Sequence, residues 1–276
     1  MKIIITGADG QLGTELQRAL GDHDLLPVDI EEFDITDFDA VVKSVTAFGP
    51  DLIMHAAAFT DVDGAELNPD MAYKVNAVGT QNLCVAARSA GAVILYVSTD
   101  FVFDGTKGAA YHEFDDVNPV SVYGRSKLAG ERYVRTLTNN HYICRTAWLY
   151  GKQGHNFVKT MLKLGQEQPA VRVVDDQVGS PTSAADLADK LAEISLSGRF
   201  GLYHATNTGA VSWFGFAKKI FELARIPVEL QPITTDQLER PAPRPAYSEL
   251  RSLSLELHGL KPMRPWEEAL VDYFSG

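Results

Sequence analysis

Cysteine is scarce in this chain, which has only Cys84 and Cys144 among 276 residues, each inside an apolar stretch. A disulfide framework is therefore excluded, and both read as reduced core residues of a cytoplasmic protein. CxxC, HExxH and tight His/Cys clusters are all missing, so no metal is expected. Long apolar runs are missing too. The run Ile3-Ile4-Ile5 is stopped by Thr6-Gly7, which fits no signal peptide. No stretch approaches the roughly 18 residues of a membrane span. Basic residues are in deficit, 25 Lys and Arg against 36 Asp and Glu, for a net charge of −11. A nucleic-acid partner needs a basic surface and is not expected. An anionic small molecule remains open, because amides at a helix start hold phosphate without any lysine.

What is present is an alternation of strand and helix signals. Lys2 to Thr6, Leu25 to Asp29, Asp51 to Ala58 and Val93 to Ser98 read as strands. Gln11 to Leu20, Phe38 to Phe48 and Met71 to Ala90 between them read as helices. Short-linked alternation of this kind implies parallel βαβ units, hence an α/β fold with a Rossmann-type doubly wound sheet. Further on, Leu128 to Thr136 and Phe157 to Gln166 are helical, with His141 to Thr146 and Val171 to Asp175 as strands. Proline thickens beyond Gln231, and Trp266 to Phe274 forms a short amphipathic helix. No repeat or low-complexity linker divides the chain. The expected division is a dinucleotide-binding domain over 1–150 with a returning segment at about 175–200. A smaller, discontinuous α/β lobe would be built mainly from 151–174 and 201–276.

Gly7, Gly10 and Gly13 form GADGQLG between the first strand and the first helix. The first glycine permits the tight turn, the second admits a pyrophosphate and the third lets helix and sheet approach. Phosphates would then meet the amides of Gly10, Gln11 and Leu12. Asp29 closes the second strand, where a carboxylate can bond ribose hydroxyls. No Arg or Lys occurs between Arg18 and Lys43, which alone favours NADH over NADPH. Asp34 and Ile35 are placed to flank an adenine, and Ala56, Ala57 and Ala58 offer small side chains beside the cofactor ribose.

Tyr123 and Lys127 form YxxxK, and positions four apart share one helix face. A free phenol titrates near pH 10, and a nearby ammonium favours the phenolate and brings that value down. Ser98 and Thr99 end the fourth strand at the carboxyl edge of the sheet, where a hydroxyl can bond the carbonyl that receives a hydride. Each signal is common alone; in this order they reinforce one another.

With these elements the chain resembles the extended short-chain dehydrogenase/reductase superfamily and, within it, the dTDP-4-dehydrorhamnose reductase family. Segments carrying the likeness include GADGQLGTELQRAL, AAAFTDVDGAE, STDFVFDG, PVSVYGRSKLAGE, DQVGSPTSAADLA and RPAPRPAYSEL. The resemblance implies that Thr99 polarises a 4-keto group, Tyr123 donates the proton and Lys127 tunes Tyr123 while holding the nicotinamide ribose. It adds Asn76 to the cofactor site. Thr60, Val62, Asp100, Phe101 and Trp148 would line the sugar pocket. It further implies NADPH or NADH as cofactor, a nucleotide-sugar substrate, and a place in dTDP-rhamnose and cell-surface polysaccharide biosynthesis. Asn156, Lys159 and Arg199 or Arg240 are candidates for the diphosphate.

Some members bridge a dimer with magnesium through acidic residues. Here Glu15 is present, but the second position reads as Ala185 with Asp186 one residue late, a rotation of about 100° on a helix. Glu15 then reads as a first-turn carboxylate favoured by the helix dipole. The expectation is a monomer or homodimer without metal. Two rival readings stay open: a reductase or epimerase acting on another nucleotide sugar, and a non-catalytic NADP-binding regulator resembling the methionine adenosyltransferase subunit. The intact Thr99, Tyr123 and Lys127 favour an enzyme.

Overall fold

The computed structural model describes residues 1–275. In chain order β1 (Lys2–Thr6), α1 (Gln11–Ala19), β2 (Asp24–Val28), α2 (Phe38–Phe48) and β3 (Leu52–His55) alternate. Next come α3 (Val62–Leu67), α4 (Pro69–Tyr73), a π-helical stretch Lys74–Gly79, α5 (Thr80–Ala90) and β4 (Val93–Thr99). They are followed by α6 (Val122–Leu137) and β5 (His141–Thr146). The expected Met71 to Ala90 helix is thus interrupted by a π segment. α6 starts six residues before the expected Leu128, because Ser121 caps it by accepting from the Gly124 amide.

The second half comprises β6 (Leu149–Tyr150), α7 (Phe157–Glu167), β7 (Ala170–Val174), β8 (Val178–Gly179), β9 (Thr182–Ser183) and α8 (Ala184–Leu196). It finishes with β10 (Gly201–His204), β11 (Val211–Ser212), α9 (Trp213–Ala224), β12 (Glu229–Ile233), α10 (Leu253–Leu257) and α11 (Trp266–Ser275). The six-stranded sheet runs β10-β5-β4-β3-β1-β2, with every pairing parallel. It is a doubly wound Rossmann-type sheet. Its order reverses between β1 and β3, which opens a crevice at their carboxyl ends.

Alternation along the strands builds one core on each face of the sheet. Ile3 and Ile5 pack with Leu12, Leu16, Leu187, Leu191 and Leu255 on one side. Ile4 packs with Val41, Val45, Ile53 and Leu83 on the other. Successive side chains point to opposite faces, so one apolar strand serves both layers. Cys144 belongs to the first core and Cys84 to the second, and the sheet between them keeps both thiols free.

The second lobe has its own core of Tyr150, Val158, Phe216, Ile220 and Trp266 around the parallel pair β7 and β12. The sheet does not stop at residue 200. β10 pairs with β5, so the part beginning at residue 201 first completes the six-stranded sheet before entering the second lobe. Buried edges need pairing, and β5 finds it only in this later strand.

Candidate active site

Three glycines at the end of β1 answer to different constraints. Gly7 has φ +69°, and a Cβ there would meet Ala57 backbone atoms at 2.8 Å. At Gly13 a Cβ would sit 2.1 Å from the Gly7 carbonyl oxygen. Both are therefore fixed by the protein's own backbone. Gly10 is different: a Cβ would meet only that same oxygen, at 3.2 Å, and the residue faces the cleft. Gly10 also begins α1 with no side-chain cap and no acid in the first turn, so the leading amides of Gln11 and Leu12 are free for an anion. This cradle fits a dinucleotide pyrophosphate. Beside it Asp29 accepts from the Asp9 amide at 3.1 Å. Asp29, Asp34, Ile35 and Ala56 to Ala58 all line the same cleft.

Midway along the cleft, α6 is pressed onto the end of β4. A Cβ on Gly124 would lie 2.2 Å from the Phe101 carbonyl oxygen, and the Phe101 and Tyr123 rings meet edge-on at 5.5 Å. Thr99, Tyr123 and Lys127 share this wall. Ser98 donates to Glu131 at 2.6 Å, while Thr99 donates to the neighbouring Asp100 carboxyl at 3.0 Å. The Lys127 ammonium donates to the Val97 carbonyl at 2.7 Å and lies 4.2 Å from the Tyr96 ring centre. Burial lowers its pKa to about 7, against the opposing charge of Glu131.

An ammonium nearby would lower the Tyr123 phenol, and burial acts in the opposite direction. Burial raises the phenol to about 12; the Thr99 hydroxyl opposes this, and the Asp100 charge adds to it. The Lys127 ammonium points one of its donors at the Val97 carbonyl, and burial is the largest influence on the phenol. The Tyr123 phenol therefore holds its proton at neutral pH.

The opposite wall belongs to the second lobe and the C-terminal segment. Trp148 takes φ +47° and stacks face-on with Trp213, 3.4 Å between centres and 4° between planes. Gly179 makes this possible, since a Cβ there would be 2.5 Å from the Trp148 indole. Residues 240–244 form a strap held to the start of α3 by Asp63. That carboxylate accepts from Arg240 at 3.0 Å, from both terminal nitrogens of Arg244 at 3.1 and 2.9 Å, and from the Ala242 amide at 3.2 Å. These bonds outweigh desolvation and hold Asp63 at about 2. Thr60, Val62, Asp100, Phe101 and Trp148 line the space between strap and catalytic wall.

The comparisons with known proteins agree with this geometry. Residues 1–275 match the family model described as the RmlD substrate binding domain. The dTDP-4-dehydrorhamnose reductase of Mycobacterium tuberculosis is 44% identical, covering 98% of this chain and 91% of that protein. The chain belongs to the dTDP-4-dehydrorhamnose reductase family. The spore coat polysaccharide biosynthesis protein SpsK of Bacillus subtilis is 39% identical over 99% of this chain and 97% of its own. Among solved structures, the Clostridium acetobutylicum dTDP-4-dehydrorhamnose reductase has a TM-score of 0.98 at 46% identity, covering 100% of this chain and 99% of that one. The Bacillus anthracis enzyme, solved in complex with NADP, has a TM-score of 0.97 at 45% identity, covering 99% and 98%.

Against this reductase frame several assignments from sequence change. Asn76 does not line the cleft. Its amide is buried and saturated: it accepts from the Phe59 amide and donates to the Phe59 carbonyl and the Ser126 hydroxyl. It therefore braces the loop after β3 against α6. Arg199 sits just before β10, at the amino edge of the sheet and away from the cleft. Asn156 does line the cleft, where it caps α7 and donates to Gln11 at 2.9 Å, while Lys159 lies outside it and donates to the Gly154 carbonyl. Glu15 lies beyond the first turn of α1 and pairs with Arg18 at 2.8 Å. Asp186 is engaged by Arg264 and Asn207. Sequence reasoning missed Trp213, Asp63 and Arg244. Asp63 and Arg244 lay within segments already singled out, but pairing across 181 positions leaves no local trace.

Proposed function

We propose that this chain reduces the 4-keto group of dTDP-4-dehydro-6-deoxy-L-mannose to give dTDP-L-rhamnose, using NADPH or NADH. One observation carries the reading: Thr99, Tyr123 and Lys127 lie between a glycine cradle and an arginine-bearing strap in a single cleft of about 1920 Å³. Pockets for one small ligand are about 300–1,000 Å³, so this cleft has room for a dinucleotide and a nucleotide sugar together.

A bound dihydronicotinamide supplies the hydride. The glycine turn and the amides of Gln11 and Leu12 hold its pyrophosphate, while Asp29 faces ribose hydroxyls. Tyr123 delivers its phenolic proton to the oxygen on the sugar's carbon 4 as that oxygen takes on alkoxide character. Thr99 hydrogen-bonds the same oxygen and fixes its position. In its protonated form Lys127, anchored on Val97 one helical turn from Tyr123, would favour loss of the phenol's proton at the moment of transfer. Phe101 and Trp148 give the sugar apolar walls, and Arg240 and Arg244 offer charge for the diphosphate.

The test follows the absorbance of NADPH or NADH on addition of the dTDP-4-keto sugar. Oxidation that depends on the sugar is expected; absence of oxidation by the native protein with either cofactor would overturn the reading.

A further inference from the structure

Asp100 is a buried carboxyl at the edge of the sugar space that takes no part in the proton transfer proposed above. It is 2% exposed and forms no ion pair among the described residues. Its two oxygens are approached by hydroxyls from different parts of the chain. Thr99 donates to Oδ1 at 3.0 Å, and Ser248 donates to Oδ2 at 2.6 Å. The Thr99 oxygen accepts in turn from the Phe101 amide at 3.2 Å.

A count of protons makes this arrangement informative. A threonine hydroxyl has one proton and an ionised carboxylate has none. With Asp100 ionised, the single Thr99 proton is spent on Oδ1, and Thr99 has nothing left to donate into the cleft. Turning that proton toward a substrate oxygen would take a hydroxyl donor away from a buried carboxylate, leaving it Ser248 and the nearby amides, which is costly in a buried site. If Asp100 carries the proton, the bond reverses: the carboxyl donates to Thr99, and the Thr99 proton is released toward the cleft.

We propose that Asp100 is a positioning residue that works in its protonated form, donating to Thr99 so that Thr99 can donate to the substrate's keto oxygen. The inference rests on the reading of Thr99 given above. The environment agrees with it, since burial raises Asp100 to about 6 despite the bonds from Ser248 and Thr99 and the amides of Asp100 and Phe101. The other groups that face it are the Tyr123 phenol on α6 and the hydroxyls of Thr99 and Ser248, none of them a cation. Ser248 is the adjustable part. Its donated bond favours the ionised form, so its removal strengthens the hold on the proton.

The experiment compares pH profiles of kcat and KM for native protein, Asp100→Asn, Ser248→Ala and Asp100→Ala, with NADPH and the 4-keto sugar. An asparagine amide donates and accepts at once, as the protonated acid does. Asp100→Asn should keep kcat within about threefold of native, and its falling limb should lack one proton's dependence. Asp100→Ala leaves Thr99 its proton but nothing to aim it, and should lose about 100-fold in kcat with little change in KM, the scale of a misplaced catalytic group. Ser248→Ala should move the falling limb to higher pH, a shift that loss of packing alone would not produce.

Asp100→Asn falling as far as Asp100→Ala would overturn the proposal, as would a Ser248→Ala profile that moves to lower pH or not at all. Should the alanine variant fail to fold, the asparagine and Ser248 variants still decide. An independent readout needs no turnover: the infrared carbonyl band of a protonated carboxylic acid, present in native protein near pH 6 and missing in Asp100→Asn. Its absence from native protein sinks the proposal even if the reductase reading stands. Failure of native protein to oxidise NADPH removes the reductase reading while leaving the band to be measured.

Discussion

Glu131 on α6 receives two arms of the Arg145 guanidinium from β5, Nε to Oε1 and Nη2 to Oε2, each at 2.8 Å, with both side chains sealed from water. Ser98 adds a third donor to Oε1. This pair ties the helix carrying Tyr123 and Lys127 to the sheet beneath it. Removing one member leaves the other charged and unpartnered, which typically costs about 3–5 kcal/mol. Glu131→Ala is accordingly expected to lower the denaturant midpoint strongly. It should also lower the Lys127 pKa further, because Glu131 is the charge that opposes burial there. An unchanged midpoint would show that the pair does not hold α6.

The glycine turn offers a cleaner separation of fold from function. Gly13→Ala drives a Cβ into backbone and should lower the melting temperature whether or not cofactor is present. Gly10→Ala meets one backbone oxygen at 3.2 Å and should lower the melting temperature much less than Gly13→Ala. It should nevertheless weaken cofactor binding at least tenfold, about 1.4 kcal/mol. Calorimetry and fluorescence titration of NADPH measure the two quantities independently. Equal behaviour of the two variants would remove the distinction.

Tyr123→Phe deletes the phenolic proton and little else, since the ring keeps its edge contact with Phe101. Turnover should fall by roughly 10²–10⁴, the range for a positioned acid, while cofactor affinity stays within a few fold. Retention of full activity would require another proton donor.

Two buried imidazoles predict loss of stability in mild acid. His55 bonds Thr6 at 2.9 Å and Thr80 at 3.0 Å, and His204 faces the carbonyls of Tyr111 and Arg251. Burial lowers both from 6.5 to about 3. The sign follows from the depressed folded value: below pH 6.5 the unfolded chain takes up protons that the folded one refuses. Stability should therefore fall by up to about 1.4 kcal/mol per pH unit for each histidine between pH 6.5 and 3. His55→Gln should flatten that slope in denaturant titrations at several pH values. An unchanged slope would place the acid sensitivity elsewhere.

Local chemistry was the legible part of this protein. The apolar run Ile3 to Ile5, the glycine turn and the YxxxK spacing each act within a few residues, and all lie where their spacing places them. What escaped depends on contacts between distant segments. Asn76 carries a motif-like identity, yet its neighbours turn it inward to brace Phe59 and Ser126. The direction of the Lys127 ammonium is set by a carbonyl on β4, 30 positions away, and the Tyr123 pKa by how deeply α6 is pressed onto that strand. The stacking of Trp148 on Trp213 needs a left-handed backbone at one and a missing Cβ at Gly179, a conjunction no single segment announces.

The late position of β10 has a consequence for synthesis. When residues 1–150 have left the ribosome, five strands of the sheet exist but β5 has a bare edge. The face made by Ile3 and Ile5 still lacks Leu187, Leu191, Leu255 and Met263. The nascent cofactor domain must wait, with apolar surface open, for more than a hundred further residues. A cut after residue 150 would thus yield two fragments that need each other to close a single core, and holdase chaperones have their natural window during that wait.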